Sequence, residues 1–136
     1  MEAKLKHLEF IQTAINRMAN NSFLLKGWAI TVVGALLAFS FKELDCRFVL
    51  ISFLILTLFW LLDGYYLDQE KRFRELYERT AKKSENEIDF LMKTKACNDG
   101  GNWFSCATSG TLVAFYGGLL AVHIIILGTI YKVTLC

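Results

Sequence analysis

The sequence contains no proline, although it is 136 residues long. Proline is common in turns and interrupts helices, because its ring fixes φ and removes a backbone N–H group. Its absence therefore favours long helices over a sandwich or barrel of short strands. Charge is also scarce: 21% of the residues are charged, and the net charge is only +2. So balanced a charge argues against a protein that binds nucleic acid.

The chain also lacks the motifs that carry most enzyme chemistry. It has no glycine-rich phosphate loop, no H-E-x-x-H sequence and no nucleophile elbow. The four cysteines are Cys46, Cys97, Cys106 and Cys136. None forms a C-x-x-C pair, and both histidines lie far from them in sequence, which argues against a structural zinc site. We therefore expect no catalytic residues, no metal and no cofactor, and a protein that is not an enzyme.

What the sequence does have is three long apolar runs, at residues 23–41, 48–67 and 107–131. The first has 19 residues, and a helix of that length reaches about 28 Å, close to the thickness of the hydrocarbon core of a bilayer. We predict an all-α integral membrane protein with three transmembrane helices. The connection at residues 42–47 is so short that the first two spans should form an antiparallel hairpin over residues 23–67.

Polar segments accompany these spans. Residues 1–22 place apolar side chains three and four apart, as in an amphipathic helix, and the cluster Asn20–Ser22 predicts a turn or the N-cap of the next helix. This helix either lies at the membrane surface or packs on the protein's own helices. Residues 68–106 predict a helical extension of the second span, a short helix from the Ser84-x-x-Glu87 capping box to Met92, and then a loop. The third span and an outer tail occupy residues 107–136.

Basic residues set the predicted orientation. Four precede or open the first span, eight lie between the second and third, and three lie in residues 42–47 and the C-terminal tail. Because basic residues stay on the cytoplasmic side, this asymmetry predicts a cytoplasmic N-terminus and an external C-terminus. Cys46 and Cys136 would then share the oxidising side, and whether they form a disulfide stays open.

Lys26 and Asp63 are the first candidate functional residues. Each lies a few residues inside the cytoplasmic boundary, on helices expected to be antiparallel neighbours. An unpaired charge at that depth costs a few kcal/mol, so we predict that the two form an ion pair. The pair is either structural or part of a gate or ion pathway. His123, in the third span, is likewise either a neutral histidine bonded to a neighbouring helix or a polar residue of a pore.

Two sets of side chains are candidate interfaces. Small residues recur along the third span, where they would let another helix approach closely, either within one chain or between copies. They are Gly110, Ala114, Gly117, Gly118 and Ala121. Beyond the second span, an apolar stripe of Phe73, Leu76 and Tyr77 offers a face for a partner helix in the cytoplasm.

Two stretches resemble a group of small bacterial inner-membrane proteins. They read Arg17-Met18-Ala19-Asn20-Asn21-Ser22-Phe23-x-x-Lys26-Gly27-Trp28 and Phe59-Trp60-x-x-Asp63-x-Tyr65-Tyr66-Leu67-x-x-Glu70. Some proteins of this kind are transmembrane effectors in anti-phage defence operons of retron-like, cyclic-nucleotide or CRISPR-associated type. The resemblance covers roughly residues 5–78 and implies a homo-oligomer that depolarises or permeabilises the membrane when triggered. The alternative is a structural or regulatory membrane subunit that anchors an operon-encoded cytoplasmic partner.

Overall fold

The computed structural model describes residues 1–94 and 102–135, and every regular element within those ranges is helical. The elements are α1 (Glu2–Glu43), α2 (Cys46–Lys82), a single 3-10 turn (Glu85–Glu87), α3 (Trp103–Ala107) and α4 (Gly110–Leu135). The helices α1, α2 and α4 are each long and apolar enough to span a membrane. The prediction of an all-helical chain with three candidate spans is therefore confirmed.

A two-residue turn joins α1 to α2 and makes them an antiparallel hairpin. Leu44 ends α1 in the left-handed conformation, with φ of 52°, and its backbone N–H donates to the carbonyl of Ser40. Asp45 then caps α2, because its carboxylate accepts a hydrogen bond from the backbone N–H of Arg47. That N–H and the Arg47 guanidinium hold the pKa of Asp45 below its usual value.

The turn predicted at Asn20–Ser22 is wrong, because α1 continues through these residues without a break. The hydroxyl of Ser22 does not cap a new helix and donates instead to a carboxylate of α2. With 42 residues, α1 is roughly 63 Å long, about twice the thickness of a bilayer core. The polar half of α1 therefore extends beyond its apolar half. Residues 2–21 of α1 and residues 68–82 of α2 together form a pair of polar helical arms, which we call the stalk.

The two arms of the stalk keep one register along their length. Near the tip, the ammonium group of Lys4 donates to the carbonyls of Ala81, at 3.0 Å, and Lys83, at 2.7 Å. It thereby satisfies carbonyls left open at the end of α2. At the base, Ser22 contacts Asp63, so 18 residues separate the two contacts on each arm. Ile11 and Ile15 lie between these contacts and are buried.

The chain beyond α2 departs from the prediction of a short helix ending at Met92. The predicted capping box of Ser84 and Glu87 is present, yet only Glu85–Glu87 are helical and residues 88–94 are extended or irregular. Phe90 has a φ of 50°, which a continuing helix excludes. Its ring lies edge-on to His7, with 5.5 Å between centroids. The segment therefore folds back onto α1, because Phe90 packs there.

The third long helix, α4, packs on the hairpin by one face. The apolar core is a single cluster drawn from all three long helices: Ala29, Val33, Leu37, Val49, Leu56, Leu112, Tyr116 and Ile130. Most other side chains of α4 are exposed, as expected of a helix surrounded by lipid. Only a buried stripe of α4 therefore fixes its position against α2.

Candidate functional site

Asp63 lies at a junction where α1, α2 and α4 meet. Its carboxylate is fully buried and accepts hydrogen bonds from two other helices. From α1, the hydroxyl of Ser22 donates to Oδ1, and Nζ of Lys26 lies 2.5 Å from Oδ2. From α4, the hydroxyl of Tyr116 lies 3.1 Å from Oδ2. We call these four residues the junction cluster.

The junction cluster compensates a charge that would otherwise be costly to bury. Lys26 keeps 26% of its side chain exposed, and Asp63 keeps none. Lys26 also donates to the hydroxyl of Ser22, at 2.8 Å, and Ser22 in turn donates to Asp63. A buried carboxylate with an ion-pair partner and further donors is stable, whereas loss of the partner would leave an isolated charge. The structure thus brings together the pair predicted from the sequence and adds two donors that the sequence did not indicate.

One face of α2 organises the surroundings of the cluster. The ring of Trp60 stacks on that of Tyr116, with 5.7 Å between centroids and 3° between planes. Its indole N–H donates to the carbonyl of Ala107 at the end of α3, at 2.8 Å. One turn further along α2, Gly64 lets α3 approach, since a Cβ there would lie 3.0 Å from the Cβ of Ala107. The helices α1, α3 and α4 therefore all contact α2 at Trp60, Asp63 and Gly64.

A second buried carboxylate lies just beyond this junction. Asp68 is 4% exposed, pairs with Arg72 at 2.9 Å and lies 3.9 Å from the thiol of Cys106. The four-residue spacing to Arg72 was visible in the sequence, but nothing there indicated that α3 covers the pair.

His123 is buried inside the protein and does not face an open lumen. Its Nδ1 atom lies 2.8 Å from the carbonyl of Leu119, so this nitrogen carries a proton. Its Nε2 atom lies 2.9 Å from the hydroxyl of Ser52 on α2, and that hydroxyl donates to the carbonyl of Val49. The structure therefore favours the bonded histidine over the pore residue. Ser52 escaped the sequence analysis, although it is one of the few polar residues of the second span.

The small residues of α4 lie away from the rest of the protein. Gly110, Ala114, Gly118 and Ala121 are exposed, and Gly117 is half-buried. Within residues 1–94 and 102–135, no atom beyond the backbone of α4 itself lies within 4 Å of a Cβ built at any of the three glycines. The core-facing residues of α4 include Leu112 and Tyr116, on the opposite side of the helix. Of the two predicted uses of this stripe, packing within one chain is wrong.

The predicted partner face on the stalk is not open. Phe73, Leu76 and Tyr77 are half-buried. They lie between Asp63 and Ala81, which both contact α1. The N-terminal half of α1 packs along this part of α2, so the stripe has a partner helix within the chain itself.

Neither a metal site nor a disulfide emerges from the described residues. Within residues 1–94 and 102–135, no three histidines, cysteines or carboxylates lie together as metal ligands would. Cys46 is an exposed free thiol and Cys106 a buried one. Cys97 and Cys136 lie outside the described residues, and so do Gly100 and Gly101 of the predicted loop.

No protein-family model, no curated protein and no solved structure matches this chain. The geometry and charge of the chain itself are therefore the support for a function.

Proposed function

We propose that the protein is a membrane effector that assembles through α4 and depolarises or permeabilises the bacterial inner membrane, thereby stopping the spread of phage. One observation carries the assembly: the stripe of Gly110, Ala114, Gly118 and Ala121 lies open on α4. In lipid, apolar surface alone does not drive helices together, and small residues favour association because they let backbones approach. A second copy of the chain supplies a helix of matching shape.

The same proposal places the stalk in the cytoplasm and the C-terminus outside. Its support is the clustering of basic residues at both ends of the stalk arms, where the positive-inside rule applies. The stalk would then present the effector to a cytoplasmic trigger. The closed arrangement of α1, α2 and α4 keeps Asp63 and His123 away from the surface, so conduction requires the helices to rearrange.

The experiment expresses the protein in bacteria from an inducible promoter. A voltage-sensitive dye measures the membrane potential, and the mass of the protein in lipid nanodiscs measures its assembly. Ala114→Leu and Gly118→Leu add bulk to the open stripe at two positions that are exposed in the monomer. Both should reduce assembly and depolarisation together. Val133→Leu is the control, because Val133 is exposed and lies about three turns beyond the stripe on α4, so it should leave both unchanged.

A monomer that leaves the potential unchanged, even with its operon's trigger present, would overturn the effector proposal. Equal assembly in Gly118→Leu and Val133→Leu would overturn the role of the stripe alone.

The second candidate is an anchoring subunit, and the tip of the stalk favours it. Phe10 and Phe90 are 66% and 53% exposed. With Met92 they border a groove of about 400 Å³, and so apolar a surface on a polar stalk is a feature of interaction sites. If the chain is an anchor, Phe10→Asp should abolish phage protection by the operon while overproduction of the parent chain leaves the potential unchanged.

A further inference from the structure

Polar contacts hold α4 on α2 at two levels. Two turns into α4, the hydroxyl of Tyr116 lies 3.1 Å from Oδ2 of Asp63 and 3.3 Å from the carbonyl oxygen of Phe59. Two turns further along α4, His123 bonds to Ser52. These are the side-chain hydrogen bonds that join α4 to α2 within the described residues.

The rest of the seam between α2 and α4 is incompletely filled. A groove of about 420 Å³ lies beside His123, Phe53 and Leu127. A second groove of about 600 Å³ continues from Leu127 to Cys46 and the α1–α2 turn. Well-packed interiors leave few voids larger than a water molecule. Burying apolar surface gains little here, because lipid tails fill such grooves as well as side chains do. The two polar contacts therefore add directional hydrogen bonds to the apolar packing of Leu112 and Ile130 in holding α4 in place.

The junction cluster is built so that Tyr116 can leave at modest cost. When its hydroxyl departs, the carboxylate of Asp63 keeps its ion pair with Lys26 and its hydrogen bond from Ser22. Both of these partners lie on α1, so the hairpin retains its charged contacts whether or not α4 is docked. In the hydrogen bond from Tyr116 only the acceptor is charged, whereas in the pair with Lys26 both partners are charged.

We infer that the hydrogen bond from the hydroxyl of Tyr116 to Asp63 holds the protein in a closed state, and that α4 moves away from α2 when the effector is activated. We call this hydrogen bond the latch. In this movement α4 pivots at Thr108 and Ser109, which lie between α3 and α4. Release uncovers Asp63, Ser52 and His123, which supply the polar lining that the closed monomer hides. This inference rests on the proposed function for its meaning, but the movement itself can be measured without it.

The test compares Tyr116→Phe with Tyr131→Phe in lipid nanodiscs. The first removes only the latching hydroxyl and keeps the ring that stacks on Trp60. The second removes a hydroxyl from an exposed tyrosine of the same helix. Spin labels at Phe41 and Val133, both exposed, report the distance between the end of α1 and the end of α4 in a background without native cysteines. The parent and Tyr131→Phe should give one short distance, and Tyr116→Phe should add a population longer by about one helix diameter, roughly 10 Å.

An unchanged distance distribution in Tyr116→Phe, or a parent that already shows the longer distance, would overturn the latch. Membrane potential is recorded on the same variants. A longer distance without depolarisation would keep the latch and reject the effector. Depolarisation by the parent with no change of distance in Tyr116→Phe would keep the effector and reject the latch.

Discussion

Lys26 and Asp63 join the two arms of the hairpin at the level where the stalk meets the candidate spans, with 2.5 Å between Nζ and Oδ2. Asp63 is buried and Lys26 nearly so, which makes this contact unlike the exposed pairs along the stalk. Exposed pairs contribute little to stability, whereas an orphaned buried charge is strongly destabilising.

Reversing one charge of this pair should therefore impair the protein, and reversing both should partly rescue it. Lys26→Asp or Asp63→Lys alone should cost on the order of 3–5 kcal/mol and lower the amount of protein in membranes. The double variant restores opposite charges at the same distance. Lys6→Glu, in the exposed pair with Glu2, is the control and should accumulate normally. Two additive losses without rescue would show that the pair does not stabilise the fold.

Gly64 should tolerate no larger side chain, because α3 lies against it. Gly64→Leu would displace Ala107 and thereby break the hydrogen bond that its carbonyl accepts from Trp60. We expect a shift in Trp fluorescence and a lower melting temperature in detergent. Gly34→Leu is the matched control, since nothing lies within 4 Å of a Cβ built there. Equal melting temperatures for the two variants would mean that α3 does not pack at Gly64.

The stalk should depend on the residues that α1 buries against α2. Ile11 is fully buried, and truncating such a residue to alanine typically costs about 2–5 kcal/mol. Ile11→Ala should therefore speed both hydrogen exchange and protease cleavage within residues 3–20. Its neighbour Phe10 is 66% exposed, so Phe10→Ala should leave both rates near those of the parent. Similar rates for all three proteins would indicate that the stalk is not a packed hairpin.

The proposed topology makes a direct prediction for reporter fusions. A fusion at residue 85 should report the cytoplasm, and a fusion at the C-terminus should report the outside, because the basic residues cluster before the first span and between the second and third. Alkaline phosphatase and a fluorescent protein that folds only in the cytoplasm provide the two readouts. The same compartment for both fusions would mean that α4 does not cross the membrane.

The sequence by itself determined the helical class, the three candidate spans and the proximity of Lys26 to Asp63. These features depend on local quantities: the length of an apolar run, the position of a charge within it, and the short connection at residues 42–47. A tight turn leaves two long helices little freedom in register, so residues at equal distances from it lie at the same level of the hairpin.

Only the tertiary structure decided the remaining partners. The local sequence predicts a turn at Ser22. The residue lies within α1 instead, where its hydroxyl donates to the carboxylate of Asp63 across the hairpin. Tyr116 reaches Asp63 and His123 reaches Ser52 over separations of 53 and 71 residues. Whether such residues meet depends on how each helix is rotated and tilted against the others. An apolar run surrounded by lipid carries little periodicity to specify that rotation, because every face of it can be hydrophobic.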